Sequence, residues 1–123
     1  MEFPEDEWIV TAPQHSVQHP LISEHAARKA APIATGVLDY FPDAITDMAR
    51  LSKIGNDQHN PGEPLGWQRE KSSDHRDCML RHTKESRVID TDNVLHATKA
   101  AWRACAEAQL AIEELRAKGV KYP

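Results

Sequence analysis

Apolar residues recur every three or four positions along two long stretches of the chain, which is the spacing of an amphipathic helix. The first predicted helix starts near Pro42, a residue well suited to a first helical turn, and runs to about Lys53. Gly55 follows and is expected to stop it. Its expected buried stripe consists of Phe41, Ala44, Ile45, Met48 and Leu51 or Ser52.

The second and longest stretch opens at Thr91 and Asp92, and Gly119 is expected to end it. Its apolar positions alternate in steps of four and three, as in a heptad. This predicted seam consists of Val94, Thr98, Ala101, Cys105, Ala108, Ile112 and Leu115, and Thr98 is its one polar member. Most are small, so a partner helix can approach closely. For Thr98 we expect a hydroxyl hydrogen bond to the preceding turn of its own helix.

A third, shorter helix is predicted from about Asp74 to Glu85, with Ser72 or Ser73 as its N-cap. Residues 56–73 are predicted to form a loop because proline and glycine punctuate them. A loop of this length is often functional. Trp67 inside it needs a partner surface, either a flat base or a neighbouring subunit.

The beginning of the chain lacks helical periodicity over residues 1–20, and a short helix is predicted at 21–31 with Ser23 as its cap. We therefore divide the sequence into an N-terminal arm and short helix, residues 1–30, and a helical domain, residues 31–123. Trp8 could dock the arm on a neighbouring subunit. No stretch has a strand pattern, so the predicted fold class is all-α.

Composition favours oligomerisation and argues against nucleic-acid binding. Only 40% of residues are hydrophobic and 6% aromatic, so the core of a monomer is expected to be thin. The net charge is −4, and the sequence lacks the clustered basic residues that nucleic-acid-binding proteins carry. Without a signal peptide or a long apolar run, we expect no membrane partner and a cytoplasmic location. Cys78 and Cys105 are expected to be small buried residues without a disulfide.

Four aspartates form the candidate chemistry of the helices. Asp43 and Asp47 are four apart on the first helix, with Asp39 in reserve, and Asp74 and Asp77 are three apart on the third. Carboxylates suit Mg²⁺ or Mn²⁺, and paired ions assist phosphoryl displacement. Acid pairs are also common on solvated helix faces. Asp43 lies opposite the apolar stripe, so a second subunit or helix would have to cover it.

Cationic side chains near these acids are candidates for holding a polyphosphate: Lys53, Arg69, Lys71 and Arg81. A zinc site is a weaker alternative, because its four candidate ligands lack the tight pairs of structural zinc sites. They are His75, Cys78, His82 and Cys105. His82 is expected to be a hydrogen-bonded residue rather than a ligand.

Three sequence runs carry a family resemblance: FPDAITDMARLSKIGNDQHNPGEPLGW, KSSDHRDCMLRH and HATKAAWRA. Over about residues 30–112 the chain resembles bacteriophage dATP/dGTP diphosphohydrolases, the family that includes the MazZ proteins. The most specific pieces are GNDQHNPGEP, DHRDCMLRH and the spacing between His96 and Trp102. That family is related to the MazG/HisE all-α nucleoside triphosphate pyrophosphohydrolases.

The resemblance implies a MazG-like helical bundle completed by oligomerisation to a dimer or tetramer. It implies cleavage of the α–β phosphate bond of a purine nucleotide with two or three Mg²⁺ or Mn²⁺ ions. Asp74 and Asp77 match the ExxD element with Asp in place of Glu. The ExxE element is altered, and Asp43 and Asp47 are the candidates for it.

For MazZ-like proteins the implied reaction is dGTP to dGMP plus pyrophosphate, which supplies a precursor for phage DNA that contains 2-aminoadenine in place of adenine. The substrate-binding candidates are Lys53, Asn56, Asp57, His59, Asn60, Trp67, Lys71 and Arg81. Asp57 could accept a hydrogen bond from a guanine amino group. Two alternatives stay open: a non-catalytic helical oligomer that uses its alanine-rich last helix, and a nucleotide-binding regulator that hydrolyses slowly.

Overall fold

The computed structural model describes residues 25–122, which fall into two compact units, residues 25–40 and residues 41–122. The expectations for Trp8 and Ser23 lie outside the described residues. In the first unit, α1 spans His25–Lys29 and a π-helical segment spans Ala34–Leu38. The short helix predicted at 21–31 is thus described for its second half only, and the π-helical segment was not predicted.

The second unit consists of three helices and one 3₁₀ turn. Helix α2 spans Pro42–His59, α3 spans His75–Lys84 and α4 spans His96–Ala117, while the 3₁₀ turn is Arg69–Lys71. Helix α4 packs against both other helices, and more extensively against α3. An isolated antiparallel bridge joins Ile89 to Leu95, and residues 25–122 contain no strand. The all-α prediction is confirmed for this part of the chain.

Helix α2 continues beyond Gly55, where the sequence predicted its end. Glycine lowers helix stability by only about 1 kcal/mol, which neighbouring helical hydrogen bonds offset. The helix ends at Asn60, whose backbone N–H donates to the carbonyl of Asn56 at 2.7 Å. The Asn56 side chain then donates to the carbonyl of Glu63 at 3.0 Å and holds the following turn. Residues 56–59, predicted to be loop, therefore belong to α2.

Helix α4 begins at His96, later than the predicted start at Thr91. The intervening residues form a turn in which Thr91 N–H donates to the Asp90 carboxylate at 2.7 Å. Asn93 adopts φ 64°, a left-handed conformation that asparagine tolerates. The predicted end is confirmed, because Gly119 has φ +77° and its N–H donates to the Arg116 carbonyl at 2.9 Å.

The core of the described chain is small. Its buried hydrophobic residues are Cys78, Val94 and Ala106. On α4 the buried positions Thr98 and Ala106 are two turns apart, with Trp102 between them. The predicted seam and the buried face of α4 therefore share Thr98 and diverge after it, where Ala106 is buried and Cys105 is exposed.

Four predicted core residues lie at the surface of the single chain. Cys105 and Ala108 of the predicted seam are exposed, whereas Ala106, outside the seam, is buried. Phe41 and Ala44, both placed in the buried stripe of α2, are also exposed, Phe41 by 54%. Within residues 25–122, no helix is both long enough and apolar enough to cross a membrane.

Candidate functional site

A cavity of about 520 Å³ opens in the second unit between the C-terminal half of α2, the segment after it, and the facing sides of α3 and α4. Its aromatic lining is Trp67 and Trp102, and its cationic lining is Lys71, Lys99 and Arg103. Asn56, His59, Asn60, His82 and Asp92 are further polar lining residues. The cavity thus combines flat apolar surfaces with positive charge and hydrogen-bonding groups.

The two tryptophans form the aromatic wall. Their ring centroids are 5.7 Å apart at an interplanar angle of 82°, an edge-to-face arrangement that aromatic pairs prefer. The Trp102 indole N–H donates to Ser52 Oγ at 2.9 Å, which fixes α4 against α2. The guanidinium of Arg69 lies 4.6 Å from the ring centre of Trp67. Trp67 therefore finds its partner surface within its own chain.

Arg103 is held by two uncharged acceptors. Its Nη1 donates to Ser72 Oγ at 2.7 Å and to His75 Nδ1 at 3.0 Å. His75 is only 2% exposed. Because Nδ1 accepts, neutral His75 carries its proton on Nε2, a buried nitrogen without a hydrogen-bond partner among residues 25–122. The arrangement orients Arg103 toward the cavity while leaving its positive charge uncompensated by these partners.

A charged cluster, defined by Glu85, Asp90, Asp92, His96 and Lys99, lies around the start of α4. Lys99 Nζ is 2.7 Å from a carboxylate oxygen of Asp90 and 2.7 Å from one of Asp92. The Lys99 hydrogen bond and the Thr91 N–H lower the pKa of Asp90 to about 2. The Lys99 hydrogen bond also lowers the pKa of Asp92. Burial lowers the pKa of Lys99, but its bonds to the two aspartates outweigh this and raise it.

Two histidines extend the charged cluster into the cavity. His82 Nδ1 and His96 Nδ1 are 2.8 Å apart, and the centres of the two rings are 5.0 Å apart. On its other side, His96 Nε2 lies 3.4 Å from Glu85 and 3.7 Å from Asp90. Burial lowers the pKa of His82, and the proximity of His96 and of the positively charged Lys99 lowers it further. The expectation that His82 is hydrogen-bonded is confirmed.

Of the first predicted acid pair, Asp47 is engaged with α4. Thr98 Oγ1 donates to Asp47 Oδ2 at 2.5 Å and Arg50 Nε donates to Oδ1 at 2.9 Å. The Thr98 bond, with a contribution from Arg50, lowers the pKa of Asp47. The hydroxyl of Thr98 thus bonds to another helix and not, as predicted, to its own preceding turn. Asp43 is exposed.

Of the second pair, Asp74 is the N-cap residue of α3 and Asp77 lies in its first turn. Ser72 Oγ donates to Asp74 Oδ1 at 2.8 Å and Cys78 Sγ donates to Oδ2 at 3.4 Å. The hydrogen bond from Ser72 contributes most to lowering the pKa of Asp74, and the one from Cys78 lowers it further. Asp77 is exposed. Ser72 therefore stands between Asp74 and Arg103, and links this acid to the cavity.

The described chain does not gather the predicted ligands into a metal centre. Among residues 25–122, no three His, Cys, Asp or Glu side chains are arranged to hold an ion. The carboxylates suit Mg²⁺ or Mn²⁺ chemically, but within one chain their arrangement does not fit a two-ion cage. The zinc alternative meets the same obstacle, since Cys78 Sγ accepts from Arg81 at 3.0 Å and Cys105 is exposed.

The predicted substrate-binding residues divide into two groups. Five line the cavity: Asn56, His59, Asn60, Trp67 and Lys71. Lys53 and Asp57 pair with each other at 2.8 Å on an exposed face of α2, outside the lining. Arg81 contacts Cys78 and also lies outside it. The prediction that Asp57 reads guanine therefore receives no support from the structure.

Sequence reasoning missed the contribution of α4 to the cavity. Lys99, Trp102 and Arg103 are spaced three and four apart, so they share one helix face, yet the heptad-like pattern drew attention to the neighbouring positions. Asp92 was also missed, because it was assigned to a helix start and lies in a turn. The useful signal was present as a lysine, a tryptophan and an arginine on one stripe of the helix.

No protein-family model, curated protein or solved structure matches this chain.

Proposed function

We propose that this protein is a nucleoside triphosphate diphosphohydrolase that cleaves the α–β phosphate bond of a purine nucleotide, dGTP or GTP first, with Mg²⁺ or Mn²⁺. The observation that carries the proposal is the cavity, which places two tryptophans beside Lys71 and Arg103. The resemblance of its lining segment to the phage diphosphohydrolases supports the same reaction. The monophosphate product would be a precursor for the synthesis of DNA that contains 2-aminoadenine in a phage-infected cell.

The aromatic wall suits a nucleobase. A volume of about 520 Å³ lies within the range of roughly 300–1,000 Å³ that small-molecule sites occupy. Stacking of a base on an aromatic side chain contributes about 1–3 kcal/mol and does not by itself select a base. Selection needs polar groups matched to the base edge, and the amides of Asn56 and Asn60 supply donors and acceptors.

The cationic side of the cavity suits a phosphate chain. Arg103 presents a planar guanidinium of the kind that binds phosphate oxygens in pairs, and its two neutral partners keep it oriented. Lys71 adds an exposed ammonium. Lys99 contributes less, because Asp90 and Asp92 already neutralise it. Arg103 is therefore our leading candidate for the phosphate contact.

The metal requirement points to more than one chain. Asp43 and Asp77 are exposed and, within residues 25–122, no three potential ligands are grouped to hold an ion. We therefore propose that a homo-oligomer brings the acids of two chains together. When bound, Mg²⁺ or Mn²⁺ would supply electrophilic activation of the phosphate. Exposed apolar residues at these helices, among them Phe41 immediately before α2 and Ala108 on α4, are candidates for the contact between subunits.

The direct test incubates the protein with each of the common dNTPs and with GTP, in Mg²⁺ and separately in Mn²⁺, and resolves the products by ion-exchange chromatography. We expect a monophosphate and pyrophosphate, with dGTP the fastest deoxynucleotide. Formation of diphosphate and inorganic phosphate would show a different reaction. Absence of any product, with the fold confirmed by circular dichroism, would refute the proposal.

The alternative function is a non-catalytic helical oligomer. It is favoured by the exposure of large apolar residues in the second unit, such as Leu80 at 54% and Ile89 at 64%. Exposed apolar residues mark an interaction site where they join into a contiguous patch. Light scattering and the nucleotide assay together distinguish the two proposed functions. An oligomer that neither binds nor hydrolyses nucleotides supports only the alternative.

A further inference from the structure

Two imidazole rings meet through the same kind of nitrogen at the edge of the cavity. His82 Nδ1 and His96 Nδ1 are 2.8 Å apart, a hydrogen-bond distance. Such a bond needs one ring to donate and the other to accept. The two Nδ1 atoms therefore share one proton, and the protonation states of the rings are linked.

The surroundings of His96 select the resting arrangement. Its Nε2 faces the carboxylates of Glu85 at 3.4 Å and Asp90 at 3.7 Å, so a proton is favoured on that nitrogen. With both rings neutral, His96 Nδ1 is then the acceptor and His82 carries its proton on Nδ1. This leaves His82 Nε2 with an unprotonated lone pair on a residue that lines the cavity.

We propose that His82 is the proton acceptor of the hydrolytic site and that His96 receives the charge through the Nδ1–Nδ1 hydrogen bond. The assignment rests on the proposed diphosphohydrolase function. His82 Nε2 accepts the proton that the attacking water loses. His82 then passes its Nδ1 proton to His96 Nδ1, so the pair gains one proton in total. His82 ends neutral with its proton on Nε2, and His96 ends as an imidazolium.

The carboxylates at the far end make this relay favourable. The imidazolium of His96 lies against Glu85 and Asp90, and these carboxylates stabilise its positive charge. Without the relay, His82 would carry that charge at the cavity wall. In a catalytic triad, a carboxylate orients the histidine and stabilises its imidazolium. Here Glu85 and Asp90 act in the same way on His96, which in turn supports His82. The charged groups around the pair are Glu85, Asp90, Asp92, Lys99 and Arg103.

His82 has the right protonation state for this role at neutral pH. Burial lowers its pKa, and the proximity of His96 and of the positively charged Lys99 lowers it further, which keeps the ring neutral and ready to accept a proton. The carboxylates nearby are poorer acceptors. The pKa of Asp90 is about 2, and that of Asp92 is lowered by the same lysine, so both stay ionised but bind protons weakly.

The test compares His82→Gln, His82→Asn and His96→Gln with the wild-type protein, and uses His25→Gln, an exposed change in the first unit, as control. We expect loss of His82 to lower kcat by about 100-fold or more, the scale of general base catalysis. Nucleotide affinity, measured with an α,β-methylene analogue, should change less than threefold (about 0.7 kcal/mol). In the wild type, kcat should fall in acid as the pair takes up a proton, and His96→Gln should shift this limb.

A nitrogen-15 NMR titration of the wild-type imidazoles gives a readout independent of turnover. We expect both Nδ1 signals to respond together, because the two rings share one proton. Two independent titrations would overturn the relay. Wild-type kcat in both His82 variants would overturn the assignment alone. Absence of hydrolysis by the wild type would overturn the proposed function, and the assignment of His82 with it.

Discussion

Two groups of acidic side chains in this chain have very different surroundings. The four aspartates of α2 and α3, namely Asp43, Asp47, Asp74 and Asp77, are spread over separate helices, and within residues 25–122 no three potential ligands are grouped to hold an ion. The charged cluster at the start of α4 is tightly bonded instead, with Lys99 at 2.7 Å from both Asp90 and Asp92. The acids of the first group have helical spacing in the sequence but are not brought together within one chain. In the second group, Asp90 and Asp92 lack such spacing but meet around Lys99.

The difference shows what helical spacing does and does not determine. Spacings of three and four residues make two side chains neighbours on one helix, but they say nothing about which face that helix turns toward the next. In the charged cluster a turn supplies the missing geometry. Val94 N–H donates to the Asp92 carboxylate at 3.2 Å, and Asp90 N–H donates to the Val94 carbonyl at 2.9 Å. These bonds direct both acids toward Lys99.

The largest predicted effect concerns the four aspartates of α2 and α3. If a second subunit completes a metal site there, Asp77→Asn should reduce kcat by at least roughly 100-fold, the scale reached by loss even of a partner of a metal ligand. The side chain is exposed, so the fold should persist. Steady-state kinetics against Mn²⁺ concentration measure the effect. Glu114→Gln, an exposed acid at the far end of α4, is the matched control. Unchanged turnover in Asp77→Asn would show that the charged cluster serves catalysis without this group.

The fold was predictable to the extent that it depends on periodicity. All three helices of the second unit were predicted, the two longer ones from the spacing of apolar residues, and the stop at Gly119 was correct because a glycine at positive φ closes a helix end. The ends near Gly55 and Thr91 were missed for local reasons. In one case helical hydrogen bonds outweigh glycine, and in the other an aspartate side chain stabilises a turn.

The site was predictable only where a single segment carries it. The loop-and-helix residues Asn56, Asn60 and Trp67 were recognised and do line the cavity. Trp102 and Arg103 were not recognised, because their role depends on α4 meeting α2 and α3 at a particular rotation. Hydrogen bonds that set this rotation join residues about fifty positions apart, such as Trp102 to Ser52. No local pattern reports such a pairing.

The next largest effect tests the turn that builds the charged cluster. Val94 is 0% exposed, so Val94→Ala should lower the free energy of unfolding by about 2 kcal/mol through lost burial and a small cavity. Val120→Ala, at a position 47% exposed, should change it by less than about 0.5 kcal/mol. Urea denaturation of both variants measures the difference. Equal stabilities would mean that Val94 does not anchor the turn.

A smaller effect is expected for the cation that faces the cavity without a carboxylate partner within hydrogen-bond distance. Arg103→Gln should weaken binding of an α,β-methylene triphosphate analogue at least about tenfold (about 1.4 kcal/mol), close to the lower end of the roughly 1.5–3 kcal/mol that one charge-assisted hydrogen bond contributes. Arg76→Gln, an exposed change on α3, should leave affinity unchanged. Calorimetry provides the dissociation constants. An unchanged value for Arg103→Gln would remove it as the phosphate contact and leave Lys71 in that role.

The smallest effect is a change in the shape of acid unfolding. The folded-state pKa of Asp90, about 2, lies below its ordinary value of 3.8, so its ionised form stabilises the fold above pH 3.8. This contribution is lost as the pH falls from 3.8 toward 2. Asp90→Asn cannot take up a proton, so its stability should fall less steeply through that interval. Thermal unfolding followed by circular dichroism at several pH values measures the slope. The wild-type slope in Asp90→Asn would mean that Lys99 does not stabilise this carboxylate.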